Sequence, residues 1–133
     1  MFYDYSFKIP LNTTKEAPHE EEIYLPPGVI HRIEVGFPAG CKGTAHVTMR
    51  HGLNQLWPTN ADGSFNADGY TIVINEFYVI RTEPFILTLM GWSPGTTYPH
   101  TIEIRIGVLP SWILMPEETF IQAFKKLLKR LRL

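Results

Sequence analysis

A chain of 133 residues is one domain's worth, long enough to bury a core and too short for two full domains. With 44% apolar and 19% charged residues it is not a disordered polymer, and its single cysteine, Cys41, rules out an internal disulfide framework and suits a reducing compartment. The net charge of −1 hides an asymmetry: residues 1–115 carry 7 basic and 11 acidic side chains, net −4, whereas residues 116–133 carry 5 basic and 2 acidic, net +3.

Residues 2–9 alternate, with Tyr3, Tyr5, Phe7 and Ile9 opposing Asp4, Ser6 and Lys8, the pattern of a half-buried strand. The same N-terminus lacks a basic region followed by an apolar run, so no signal peptide is expected, and no later stretch approaches the length of a membrane span. Residues 12–22 are polar and acidic and read as a loop. Residues 23–25 make a short strand stopped by Pro26-Pro27-Gly28, a turn signal. Residues 29–37 alternate again, placing Val29, His31, Ile33, Val35 and Phe37 on one face and Ile30, Arg32, Glu34 and Gly36 on the other. A Gly/Pro-rich turn then leads to a strand over 44–50, with Ala45, Val47 and Met49 inward.

Residues 55–58 read as an edge segment, because Pro58 cannot donate to a central ladder. The near-repeat Asn60-Ala61-Asp62-Gly63 and Asn66-Ala67-Asp68-Gly69 is turn chemistry. Three further strands follow over 70–80, 85–92 and 101–109, the last alternating Ile102, Ile104, Ile106 and Val108 with Thr101, Glu103 and Arg105. Seven or eight short strands separated by Gly, Pro and Asn turns predict a mainly β chain, an antiparallel β-sandwich or jelly roll, over residues 1–109. Residues 110–115 form an apolar connector.

Residues 116–133 differ from everything before them. Phe120, Ile121, Ala123, Phe124, Leu127, Leu128 and Leu131 recur at helical spacing, and Gln122, Lys125, Lys126, Lys129, Arg130 and Arg132 fill the opposite face. Pro116 suits a first helical turn, while Glu117 and Glu118 at the start and basic residues at the end both match the helix dipole. The spacing predicts a C-terminal amphipathic α-helix. A helix of this length is marginal alone in water, so its apolar stripe needs a surface. Three surfaces suit it: an open edge of its own sandwich, a groove in a second subunit or larger partner, or an anionic membrane.

Signals for chemistry are weak. The histidines lack a close His-x-His pair, and His46 and His51, five residues apart, point to opposite faces of a regular strand, so no metal site and no cofactor is expected. Cys41 with a histidine from elsewhere would make a nucleophile–base pair, but it lies in a Gly-flanked turn without the local signature of a cysteine hydrolase. Asp62 and Asp68 lack the alternating oxygen ligands and closing glutamate of a calcium loop. Trp57, Trp92, Tyr98 and Trp112 lie near loops or strand ends, where exposed rings would form a carbohydrate platform and buried ones would plug the sandwich.

Three stretches carry a family resemblance: Leu25-Pro26-Pro27-Gly28-Val29-Ile30-His31-Arg32 through Gly36-Phe37-Pro38-Ala39-Gly40-Cys41-Lys42-Gly43; Gln55-Leu56-Trp57-Pro58-Thr59-Asn60; and Gly91-Trp92 through His100-Thr101-Ile102-Glu103-Ile104. Together they resemble short proteins encoded among the virion structural genes of tailed bacteriophages. The resemblance covers roughly residues 23–109 and implies a jelly-roll or sandwich module on a head or tail, made in the host cytoplasm and built into the virion. It brings no catalytic residues, and the helix lies outside it. The expectation is therefore a non-enzymatic assembly protein, homo-oligomeric and in contact with other virion proteins, with no specific nucleic-acid partner and membrane contact as the lesser option. Its contact residues are expected to be Trp112, Phe120, Ile121, Phe124, Leu127, Leu128 and Leu131, flanked by Lys125, Lys126, Lys129 and Arg130. The alternative is a carbohydrate-binding module using the loop aromatics.

Overall fold

The computed structural model describes residues 1–81, 83–114 and 117–131. Eight strands run in order: β1 (Phe2–Ile9), β2 (His19–Leu25), β3 (Gly28–Phe37), β4 (His46–His51), β5 (Asn54–Trp57), β6 (Tyr70–Ile80), β7 (Phe85–Trp92) and β8 (His100–Pro110). A short 3-10 helix, Ser111–Leu114, and the helix α1, Glu117–Leu131, follow. Two four-stranded sheets form, one in the order β1-β8-β3-β6 and the other β2-β7-β4-β5. Every pairing is antiparallel, as the period-2 alternation demands of sheets with one wet face.

The pairings β1·β8, β2·β7, β3·β6 and β4·β5 describe one long hairpin doubled back on itself. Rolling that ribbon adds β3·β8 and β4·β7 and closes the two sheets into a jelly roll. Phe7, Ile9, Ile33, Val35, Ile102, Ile104 and Ile106 from the first sheet meet Leu25, Val47, Met49, Leu87 and Leu89 from the second, and all lie in one buried cluster. Burying that many branched and aromatic side chains is the main force holding the body together. Gly91 makes room for it, because a Cβ there would stand 2.7 Å from both the Phe7 ring and Ile9 Cδ1.

Two strands depart from the sequence expectation. The second strand begins at His19, four residues earlier than the apolar signal at Ile23. Glu20, Glu22 and Tyr24 face water, while Ile23 and Leu25 face the core, so an acidic stretch that reads as loop is an edge strand pairing with β7. In β3 the simple alternation breaks between Ile30 and Arg32, where the register shifts against both neighbours. This β-bulge puts Ile30 in the core together with Ile33, and leaves His31 on the outer side, edge-on to Phe2 at 5.7 Å. His31 Nε2 occupies the space a Cβ at Gly107 would need.

Candidate functional site

The strand β8 ends where its neighbour β3 begins, Pro110 opposite Gly28. Gly28 has φ +152°, and a Cβ there would collide with the Leu109 carbonyl, so glycine is required for the close approach. The 3-10 helix then lies against β3. It leaves Trp112 63% and Ile113 43% exposed, so Trp112 is presented at the surface on a fixed turn.

The helix α1 spans 15 residues, about 22 Å at 1.5 Å per residue. The described side chains of its apolar stripe lie at the surface. Ile121, Phe124, Leu127, Leu128 and Leu131 are 42%, 52%, 51%, 50% and 69% exposed. Gln122, Lys125, Lys126, Lys129 and Arg130 are exposed on the other face. Lys129 and Arg130 occupy the last turn, where the negative end of the dipole favours cations. The side chain of Phe120, and Arg132 altogether, lie outside the described residues. Trp112 and the helical residues are large apolar side chains left at the surface, of the kind that marks an interaction surface. Among the described residues no helix is long and apolar enough to cross a membrane.

The sandwich brings together one pair that sequence spacing only allowed. Cys41 Sγ lies 3.6 Å from His100 Nδ1, both side chains buried, with Tyr98 edge-on to the imidazole at 4.9 Å. Burial, and secondarily the charge of Asp68, raise the thiol's pKa above its ordinary value. A reactive cysteine needs the opposite shift and an open approach. The contact therefore acts as a hydrogen bond that satisfies two interior polar groups.

Beyond His100 an open cleft of about 550 Å³ crosses the outer face of the first sheet, bordered by Gly36, Thr71, Tyr98, His100, Glu103 and Arg105. Its charges are already paired. Arg105 lies 3.6 Å from Glu34 and 3.7 Å from Asp4, Arg32 donates to Glu34 at 3.1 Å, and Ser6 donates to Glu103 at 3.2 Å. Such a ladder of cross-strand pairs stabilises the sheet modestly and leaves little charge for a ligand.

The remaining sequence candidates fall into structural places. Asp68 accepts from the Gly40 amide at 2.7 Å and Asn60 donates to Asp62 at 3.2 Å, as turn residues do. Trp57 is in the core and donates to Glu76 at 3.1 Å. Trp92 lies beneath His46, stacked at 5.5 Å, and Lys15, 5.7 Å from its ring. Of the four candidate rings, Tyr98 and Trp112 are the ones at the surface. His46 and His51 do face opposite ways, the first onto Trp92 and the second onto Phe85 at 4.5 Å. Among the described residues no group of three or more His, Cys, Asp or Glu side chains is placed to hold a metal ion. The sequence matches no protein-family model and no curated protein, so the site is read from its own geometry.

Proposed function

We propose that this chain is a non-enzymatic assembly protein of a virus particle, of the tailed-phage kind, whose β-sandwich is fixed in place by its C-terminal helix. The observation that carries this reading is the exposed stripe from Ile121 to Leu131, together with the exposed Trp112 on its 3-10 turn. A 15-residue helix with such a stripe gains most of its stability from packing, and Ile121, Leu127, Leu128 and Leu131 remain exposed to solvent. An apolar groove rimmed by acidic groups is the complementary surface, since Lys125, Lys126, Lys129 and Arg130 flank the stripe. The phage resemblance over residues 23–109 supplies the setting, in which copies of the chain meet one another and other virion proteins.

The test is native mass by light scattering. The full chain is expected as a discrete oligomer. The double variant Phe124→Asp, Leu128→Asp is expected as a folded monomer, because two carboxylates cannot enter an apolar interface without a large desolvation cost. Residues 1–115 alone should behave likewise. Oligomers of unchanged mass in both variants would sink the reading. Retention of the full chain, but not the variant, on anionic vesicles would move the helix to a membrane surface instead.

A further inference from the structure

The outer face of the second sheet carries a small void. Lys15, Pro18, Thr48, Arg50, Gln55, Ala61, Gly63, Met90 and Trp92 border about 140 Å³ between the strands and two overlying loops, residues 10–18 and 58–64. In the β4·β7 and β4·β5 registers, Arg50 stands between Thr88 and Gln55. Its Nε is shut off from solvent and has no hydrogen-bond acceptor, the one such side-chain atom among the described residues. Neither Arg50 nor Lys15 has a carboxylate within 4.0 Å there, since the ion pairs of the described residues join other groups.

A guanidinium offers five donors in a fixed fork and does not lose its charge. The Nε, having no accessible surface, does not itself face the void, so Arg50 lines it through its other atoms, with no carboxylate of the described residues paired to the guanidinium. Lys15 adds a second cation at the rim, held over the face of Trp92. The acidic side chains of Glu16, Glu20 and Glu22 do not line the void. Thr48, 3% exposed, brings a hydroxyl to the same wall. Gln55 spends its Nε2 on the carbonyls of Pro58, Asn60 and Gly63, at 2.7, 2.9 and 3.2 Å, which pins the loop that closes the void. His46 stacks on Trp92, and burial, then Lys15, lower its pKa, so the positive charge comes from Arg50 and Lys15.

We infer that this void is a binding site for a small oxyanion of the phosphate or sulfate type, held by the Arg50 guanidinium and the Lys15 ammonium. Bidentate recognition by an arginine fork together with a lysine point charge is the usual way such an ion is held. The 140 Å³ lies well below the roughly 300 to 1,000 Å³ of sites for drug-sized ligands and suits the anion itself. This assignment is independent of what the C-terminal helix contacts.

The experiment is a ¹H–¹⁵N NMR titration of the full chain with inorganic phosphate and with sulfate, each against sodium chloride at equal ionic strength. Saturable shifts are expected at the Arg50 Nε–H, the Thr48 and Gly63 amides and the Trp92 indole, and chloride should produce none of them. Arg50→Gln should abolish the saturation, and Lys15→Gln should weaken it about tenfold, the order expected for one charge-assisted contact. Lys15 is exposed on a loop, so its variant keeps the test open if Arg50→Gln fails to fold. Shifts that do not saturate, equal shifts with chloride, or an unchanged affinity in both variants would overturn the site. An Arg50→Met protein that melts higher than the parent in buffers with and without phosphate would do so too, because it would mark the guanidinium as merely uncompensated.

Discussion

The body and the helix use the same kinds of side chain in opposite ways. In the sandwich, Ile33, Leu89, Ile104 and their neighbours alternate with polar residues and disappear into a single core shared by two sheets. In α1, Ile121, Phe124, Leu127, Leu128 and Leu131 line one face just as regularly, yet stay about half exposed. Patterning decides which residues share a face; only a second surface decides whether that face is buried. The body holds its second surface within the chain, because each sheet covers the other. On the helix, Ile121, Leu127, Leu128 and Leu131 remain exposed, and the charge divides the same way, with an acidic body and a basic helix.

The sharpest way to press this comparison is to remove matched apolar groups from each region. Leu89→Ala opens a cavity in the packed core and should cost about 2–5 kcal/mol of unfolding free energy, read by denaturant titration. A loss below about 1 kcal/mol would mean that the two sheets are not packed as described. Next in size comes the junction between the regions. Gly28→Ala places a Cβ against the Leu109 carbonyl at a φ that other residues rarely adopt, and should cost about 1–3 kcal/mol. Because β8 and the 3-10 turn are anchored there, the variant should also alter the fluorescence of Trp112. A stable protein with unchanged emission would show that the turn is not anchored at this point.

Substitutions on the helix should behave in the reverse sense. Leu127→Ala or Leu128→Ala is expected to change the unfolding free energy of the monomeric body by less than about 0.5 kcal/mol, as exposed positions do. The same changes should weaken self-association measured by sedimentation. A core-sized loss of monomer stability would mean that the helix packs at home, and the contrast between the two regions would fail.

Much of this division could be read from the chain beforehand. The helix was legible because its apolar spacing, its opening glutamates and its closing lysines agree. The alternating strands β1 and β8 were legible for the same reason. What escaped depends on partners distant in sequence. His19-Glu20-Glu21-Glu22 carries no apolar signal, and becomes strand only because β7 offers it a ladder. The β3 bulge is hidden in Val29-Ile30-His31-Arg32, where two apolar residues in a row leave the inward face ambiguous until both neighbouring registers fix it. Jelly-roll pairing joins β1 to β8 across almost the whole chain, which no local pattern specifies. The Arg50 void was invisible for the same reason: its walls come from four separate stretches of chain. Arg50 itself reads in sequence as an ordinary outward residue at a strand end.

The smallest expected effect concerns pH, and it should belong to the body alone. His46 is partly buried on the outer face of the second sheet, where desolvation, and then the charge of Lys15, lower its pKa from the ordinary 6.5. Between the lowered value and 6.5 the unfolded chain holds a proton at this position that the folded chain does not. Stability therefore rises with pH through that window. The contribution is fully present above the ordinary value and is lost as pH falls through the folded one. The imidazole stacks on Trp92 and lies 2.8 Å from Ser64 Oγ, both inside the sandwich body. Melting temperatures followed from pH 7.5 down to 5 should thus decline less steeply in His46→Gln than in the parent. The difference between those slopes should be the same in the full chain and in Phe124→Asp, Leu128→Asp. A difference that vanished when the helix face was altered would tie His46 to the assembled state, and the body could no longer be treated as a unit that is complete without its helix.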